Sequence, residues 1–182
     1  MDQGILFGHF SISLRIMKKS GMPINNQSGG HLPRRHGDRP QTSRTGPHAQ
    51  LTDRSTPALW GELVARAFSI DGIRQGHSSV SMPDSMAGLL PNFPHEHGEW
   101  SLAVKGAVEP FHIHGVSDTS LHVVLPEELA KVVCAKGWGE PHTYADFPTQ
   151  IMIYAPRNVE ELDVVTAILK ESVLFAHQHF AQ

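Results

Sequence analysis

The stretch Phe111-His112-Ile113-His114-Gly115-Val116-Ser117-Asp118-Thr119-Ser120-Leu121-His122-Val123 predicts a β-hairpin. Apolar and polar residues alternate on both sides of a five-residue loop of turn-forming types, which is typical of two antiparallel strands. If His114 pairs with Ser120, then His112 pairs with His122, because antiparallel pairs keep a constant index sum. Side chains alternate between the two faces of a strand. We therefore expect these four polar side chains to share one face.

The two faces of the predicted hairpin differ in chemistry. Phe111, Ile113, Leu121 and Val123 occupy one face, and we expect them to pack against helices. The other face carries three imidazoles, and cross-strand neighbours have Cβ atoms roughly 4.5–5.5 Å apart. Imidazoles at that separation can share one ion or one substrate atom. Asp118 in the loop is a candidate carboxylate ligand, or the partner that orients one ring through Nδ1–H.

Three interpretations of this histidine face stay open at the level of sequence. The first is a divalent metal site of His112, His114 and His122, since three imidazoles suit zinc, manganese or iron. The second is metal-free acid–base catalysis by the same histidines with Asp118. The third is a polar sheet face without a ligand. A one-residue slip of the register would move His122 to the opposite face and remove the cluster.

Helix and strand signals on both sides of the hairpin indicate the fold class. Helices are predicted from Thr56-Pro57 to Asp71-Gly72, from Pro126 to Gly137, and onward from Asn158, which forms a capping-box-like pair with Glu161. Strands are predicted at residues 78–82, 88–90, 100–104, 111–114, 120–125 and 150–154. This order predicts an α+β fold: a mainly antiparallel sheet of five or six strands with helices packed on one face.

Composition divides the chain into parts with different expectations. Residues 1–31 are expected to be a disordered arm or an over-extended reading frame, since Met17 offers an alternative start. The polar run that continues to Thr52 has almost no apolar residues, so disorder is its default. Residues 56–182 carry the helical and strand patterns and are predicted to form the folded domain.

Charge, hydropathy and cysteine content exclude several classes of function. A net charge of -3 and a pI near 6.5 argue against a nucleic-acid partner. The chain has no apolar stretch long enough to span a membrane and no recognisable signal peptide. Its one cysteine, Cys134, allows no internal disulfide, which is consistent with the cytoplasm. We expect a cytoplasmic protein with a small-molecule ligand, while its oligomeric state has no signal in the sequence.

Other residues outside the hairpin are ligand-binding candidates. His142 follows a glycine-rich turn and is expected at the edge of the same sheet, and Tyr154 alternates with an apolar neighbour toward the polar face. Arg157 stands at a helix start, where it either binds a carboxylate or phosphate or pairs with a nearby acid. Ser120 completes this set. The motif at residues 95–98, His-Glu-His-Gly, resembles a metal motif, but we interpret it as surface.

Several of these motifs resemble the luciferase domain family. The hairpin matches the family through residues 111–114 and then through Asp118, 120–122 and Leu125-Pro126. Further matches lie at residues 37–42, 47–51, 60, 79–81, 137–142, 154–157 and 161–162. In the hairpin loop, Gly115 and Thr119 stand where the family usually has Pro and Gly. The resemblance covers about residues 32–177, and it implies that residues 32–55 are an extended arm that wraps the domain.

The sequence is therefore compatible with three functions from different classes. The first is an enzyme that uses the histidine face, with a divalent metal, for hydrolytic or oxidative chemistry on a small molecule. The alternative is a non-catalytic module that binds a ligand or partner with the same face. A light-emitting oxygenase is a third. The family name does not imply the flavin-dependent bacterial mechanism, whose (β/α)₈ barrel needs at least ~200 residues.

Overall fold

A computed structural model of the protein describes residues 32–93 and 98–180. The elements in this part of the chain are α1 (Pro57–Phe68), β1 (Arg74–His77), β2 (Met86–Leu90), β3 (Val108–Ile113), β4 (Leu121–Val124), α2 (Glu127–Ala135), β5 (Gly139–Pro141), β6 (Gln150–Ile153) and α3 (Val159–Phe180). Their order confirms the predicted α+β class. The arm predicted at residues 1–31 and the histidines of the 95–98 motif lie outside the described residues.

All three predicted helices are confirmed. The Thr56 side chain accepts a hydrogen bond from the Leu59 amide at 3.3 Å, and Pro57 occupies the first turn of α1. Asn158 Oδ1 accepts a hydrogen bond from the Glu161 amide at 2.8 Å, so the predicted cap stands at the start of α3. These caps satisfy backbone donors that a helix start leaves without an internal partner.

The six strands form one antiparallel sheet in the order β1-β2-β3-β4-β6-β5. Two of the predicted strands are wrong. At residues 78–82 the Ser78 hydroxyl accepts a hydrogen bond from the Val80 amide, so a side chain competes with the ladder. Residues 100–104 are largely buried but form bends, and the Leu102 amide donates to the Glu109 carbonyl. Strands β1 and β5 replace them.

The predicted hairpin is confirmed in its register. His112 lies opposite His122, and Phe111 lies opposite Val123. The apolar face is fully buried and packs against residues of α1 and α3, among them Leu63, Leu162 and Leu169. This packing directs the polar face of β3 and β4 away from the helices.

Residues 32–55 run along the domain and are bonded to it at several places. Arg35 is buried, and its Nη2 donates to the Ala155 carbonyl at 2.9 Å and to Glu161 at 3.2 Å. Further along, the Ala155 amide donates to the Gln50 side chain at 2.9 Å. This segment therefore reaches the polar side of the sheet. Among the described residues, no helix combines the length and apolarity needed to cross a membrane.

Candidate functional site

The three histidines of the hairpin lie together below the surface. His112, His114 and His122 are each only 2–3% exposed. Their ring centroids are 4.8–5.4 Å apart, and His112 Nε2 lies 2.9 Å from His122 Nδ1. One ring nitrogen of each residue lies within 4.8 Å of the other two. The structure thus brings the predicted cluster together, in an arrangement that could hold a metal ion.

Two carboxylates fix the orientation of two of these rings. His112 Nδ1 lies 2.7 Å from Glu109 Oε1, and His114 Nδ1 lies 2.6 Å from Asp118 Oδ2. The Ser120 hydroxyl donates to Asp118 Oδ1 at 2.6 Å. An imidazole that donates to a carboxylate through Nδ1–H has its lone pair on Nε2. This is how metal-binding histidines are usually oriented.

Glu109 was not predicted as a site residue. In a regular strand, residues three apart point to opposite faces, which would separate Glu109 from His112. The ladder between β2 and β3 shifts register between Gly88 and Leu90, and this irregularity lies beside Glu109. The carboxylate is 1% exposed and also accepts a hydrogen bond from the Ser78 hydroxyl at 2.8 Å.

Two further histidines complete the polar cluster. His142 follows β5, and its ring centroid lies 4.2 Å from that of His122. His48 comes from the segment at residues 32–55, is buried, and stacks on His122 at 5.3 Å. The expectation that His142 reaches this sheet is met. His48 was missed as a site residue, although it belongs to the family-like stretch at residues 47–51.

A third carboxylate orients His48. His48 Nε2 lies 2.8 Å from Glu140 Oε1, and the Tyr154 hydroxyl donates to Glu140 Oε2 at 2.8 Å. Tyr154 therefore fixes the position of the Glu140 carboxylate, and that carboxylate in turn orients His48. Glu140 was also missed, because nothing in its local sequence pairs it with a residue 92 positions earlier.

Burial keeps His112, His122 and His142 uncharged. It lowers the pKa of His112, an effect that Glu109 only partly opposes. Burial together with repulsion from the other histidines lowers the pKa of His122 well below its usual value. Burial likewise lowers the pKa of His142 to about 4. These three rings are therefore neutral at pH 7, the form in which imidazole binds metals.

Two of the three orienting carboxylates, Asp118 and Glu140, have lowered pKa values and stay ionised. Burial alone would raise the pKa of Asp118, but hydrogen bonds from His114, Ser120 and a backbone amide hold it below its usual value. The hydrogen bond from His48 is the main reason that the pKa of Glu140 falls to about 2. Both groups remain acceptors for imidazole N–H groups across the neutral range.

The cluster fits a metal ion on two further observations. Two nitrogens that bind one ion at 2.0–2.1 Å stand about 3.0–3.4 Å apart, close to the 2.9 Å between His112 Nε2 and His122 Nδ1. In addition, His122 Nε2 is buried without a hydrogen-bond partner among the described residues. Buried polar atoms normally have partners, so this nitrogen, which is not the one that faces His112, is a second place for a ligand or ion. Zinc, manganese and iron all accept such imidazole donors.

A cavity of about 450 Å³ opens beside the cluster. The lining comprises the histidines 48, 112, 114, 122 and 142, the apolar residues Pro47, Val80, Met82, Leu102 and Val104, and Ser81, Tyr144, Asp146 and Gln150. A volume of this order suits a small organic molecule. The imidazoles supply one polar part of the lining, and the apolar side chains supply a wall against which a carbon skeleton can pack.

Arg157 does not belong to this lining. Its guanidinium pairs with Glu161, with Nε 3.0 Å from Oε1, and it also donates to the His36 carbonyl. Of the two roles considered for Arg157, the structure shows the pairing with an acid. Ser120 does not line the cavity either; it lies fully buried beside Asp118 and His114.

Comparison with known proteins bears on this site. The model of the family described as Luciferase domain matches residues 108–172. Residues 108–172 of the chain are therefore similar to the luciferase domain family. The match includes His112, His114, His122 and His142, whereas His48 lies outside it.

Several fungal proteins named Luciferase resemble the chain over 68 residues. The protein from Armillaria ostoyae is 44% identical, that from Armillaria mellea 43% and that from Neonothopanus nambi 40%. Each match covers 34% of this chain and 26% of the relative. The chain therefore spans only about a quarter of the length of those relatives. No solved structure matches the chain.

Proposed function

We propose that the domain binds one divalent metal ion through His112, His114 and His122 and performs oxidative chemistry on a small molecule. One observation carries the proposal: three buried imidazoles converge beside a cavity of about 450 Å³, and carboxylates orient two of them. Orienting carboxylates are a recurrent feature of metal sites. A polar sheet face that only contacted solvent would not require carboxylates that orient its histidines.

The residues of the chain have distinct parts in this function. Glu109 and Asp118 hold the rings of His112 and His114 with Nε2 free for the ion. A bound divalent ion would supply a Lewis acid beside the cavity. The apolar wall, which includes Met82 and Leu102, would hold the body of the small molecule and keep water away from the cluster.

The relatives favour oxidation over hydrolysis as the chemistry. They carry the name Luciferase, and a luciferase is an enzyme that oxidises a small molecule with emission of light. The chain matches only 26% of their length, so this activity enters as part of the proposal. Zinc has no redox chemistry, so an oxidative site calls for iron or manganese.

The metal content of protein purified without a histidine tag tests the proposal. We expect about one equivalent of iron or manganese, and a melting temperature that falls on chelation and recovers on reloading. An ion at 100 times its dissociation constant adds ~2.7 kcal/mol to the free energy of unfolding. The double variant His112→Ala, His114→Ala should lose both the metal and the recovery, while exposed His36→Ala should keep them.

Two results would contradict the proposal in different ways. Protein that holds almost no metal and gains no stability from zinc, manganese or iron would remove the metal site. A site that binds only zinc, with full recovery of the melting temperature by zinc alone, would remove the oxidative chemistry and favour hydrolysis. Ligand binding that persists without turnover would assign the face to a binding module.

A further inference from the structure

We propose that the domain has a second, weaker divalent-cation site, formed by His48, His122 and His142. It rests on the proposed function in that His122 would serve both ions. One ring nitrogen of each of these residues lies within 4.8 Å of the other two. Their rings also touch, with centroids 4.2–5.3 Å apart.

His122 is the residue that links the two sites. Its Nδ1 lies 2.9 Å from His112 Nε2, on the side of the first site. Its Nε2 is buried and has no hydrogen-bond partner among the described residues. Since Nδ1 is engaged toward His112, Nε2 is the ring nitrogen that remains for a second ion. The histidines that contact the His122 ring beyond the hairpin are His48 and His142.

His48 carries the same orienting device as the ligands of the first site. Its Nε2–H donates to Glu140 at 2.8 Å, which leaves the lone pair on Nδ1. The Thr143 amide donates to that lone pair at 3.5 Å, the outer limit of a hydrogen bond. An ion at Nδ1 would therefore replace only this long hydrogen bond. Glu140 would also add negative charge behind the ring.

His142 explains why the second site should be the weaker one. Its Nδ1 accepts a hydrogen bond from the Tyr144 amide at 3.0 Å, and an ion at this nitrogen would break that bond. Tyr144 is 59% exposed, so water can replace the lost partner of its amide. The first site requires no such exchange at His114, whose Nδ1 hydrogen bond to Asp118 leaves Nε2 available.

The proton balance of the two binding steps also differs. A neutral imidazole that binds an ion through one nitrogen keeps its ring proton on the other. When both nitrogens of His122 bind an ion, that last proton leaves for the solvent. Metal binding that releases protons becomes tighter as the pH rises. The second step is therefore expected to depend more strongly on pH than the first.

Titration of the full chain with Zn²⁺ tests the second site. The protein is prepared without a tag, stripped with a chelator, and titrated by calorimetry in a weak competing chelator that suppresses binding to single exposed histidines. We expect two steps, close to one ion each. His48→Ala should lose the weaker step and keep the tighter one. His142→Ala should do the same, and its half-buried position makes misfolding less of a concern.

Control variants and the possible outcomes separate this inference from the proposed function. His36→Ala removes an exposed histidine outside the cluster and should keep both steps. A wild-type protein that binds one ion, unaffected by His48→Ala, overturns the second site and leaves the first. Loss of both steps in His48→Ala, with an unchanged metal-free melting curve, makes His48 a ligand of the first ion and also overturns it. No binding at all overturns both proposals.

Discussion

At the scale of single residues, Asp118 joins three parts of the polar cluster. Its Oδ2 meets His114 at 2.6 Å, while its Oδ1 accepts from the Ser120 hydroxyl at 2.6 Å and from the Gln50 amide at 3.0 Å. The carboxylate therefore ties the orientation of one histidine to the position of the segment at residues 32–55. Charge-assisted hydrogen bonds of this kind are stronger than neutral ones.

Replacing Asp118 by asparagine tests that orienting role. Asp118→Asn keeps the size of the side chain but removes the charge, so His114 is held less firmly in the required tautomer. We expect the affinity for the first metal ion to fall roughly 10–100-fold, as for other orienting partners of metal ligands. Competition with a chelator measures this change. Asp38→Asn, at an exposed position, is the matched control, and equal affinities in the two variants would contradict the role.

Sequence reasoning identified some of these residues and missed others for physical reasons. His112, His114 and His122 follow from the alternation of a hairpin, and Asp118 lies in its loop. Glu109 does not follow, because an irregular ladder beside it breaks that alternation. His48 does not follow either, since its contact with Glu140 spans 92 residues and depends on how the chain returns to the sheet.

At the scale of elements, the pairing of β2 with β3 depends on one glycine. Gly88 lies opposite Phe111, and a Cβ atom at Gly88 would stand 2.3 Å from Cζ of that ring. Phe111 is fully buried between the sheet and the helices, so its ring has little room to move. Since His112 follows directly, a shift of Phe111 would reach the histidine face.

Gly88→Ala is therefore expected to lower the free energy of unfolding. Overpacking of this kind typically costs ~1–3 kcal/mol. Urea unfolding measures the loss. Gly61→Ala provides a matched control, because a Cβ at Gly61, an exposed position of α1, meets nothing within 4 Å. That control should gain roughly 0.5–1 kcal/mol, since alanine favours a helix over glycine. A Gly88→Ala variant as stable as wild type would contradict the tight packing.

At the scale of the whole molecule, the buried histidines make stability depend on pH. The folded state lowers the pKa of His112, His122 and His142, so it resists protonation that the unfolded chain accepts. Below the usual histidine pKa of about 6.5, the unfolded chain binds more protons and is favoured. The contribution of these residues is complete above that pH and is lost as the pH falls.

Thermal melting of metal-free protein across the pH range checks this dependence. We expect a nearly constant melting temperature above about pH 7 and a progressive fall between about pH 6.5 and 4. His142→Gln should flatten the fall, because one lowered pKa is removed. His36→Gln, at an exposed histidine, should leave the curve unchanged. A melting temperature that rises on acidification would show that the cluster prefers the charged form.

The overall architecture was more accessible from sequence than its long-range contacts. Caps and apolar spacing predicted all three helices, because those signals are local. Strands β1 and β5 were missed, since Arg74–His77 is mostly exposed and Gly139–Pro141 has only three residues. Both pair at the edges of the sheet, where tertiary contact outweighs strand propensity.

The contacts of residues 32–55 have a consequence for synthesis of the chain on the ribosome. Arg35 bonds to Glu161, which is 126 residues later, and His48 bonds to Glu140, 92 residues later. At ~5–20 residues per second, the segment waits on the order of 5–25 seconds before its last partner has been made. The contacts that hold this segment on the domain are therefore complete only after Glu161 has been made. Until Glu140 has been made, His48 has no carboxylate partner and stays apart from the other histidines of the cluster.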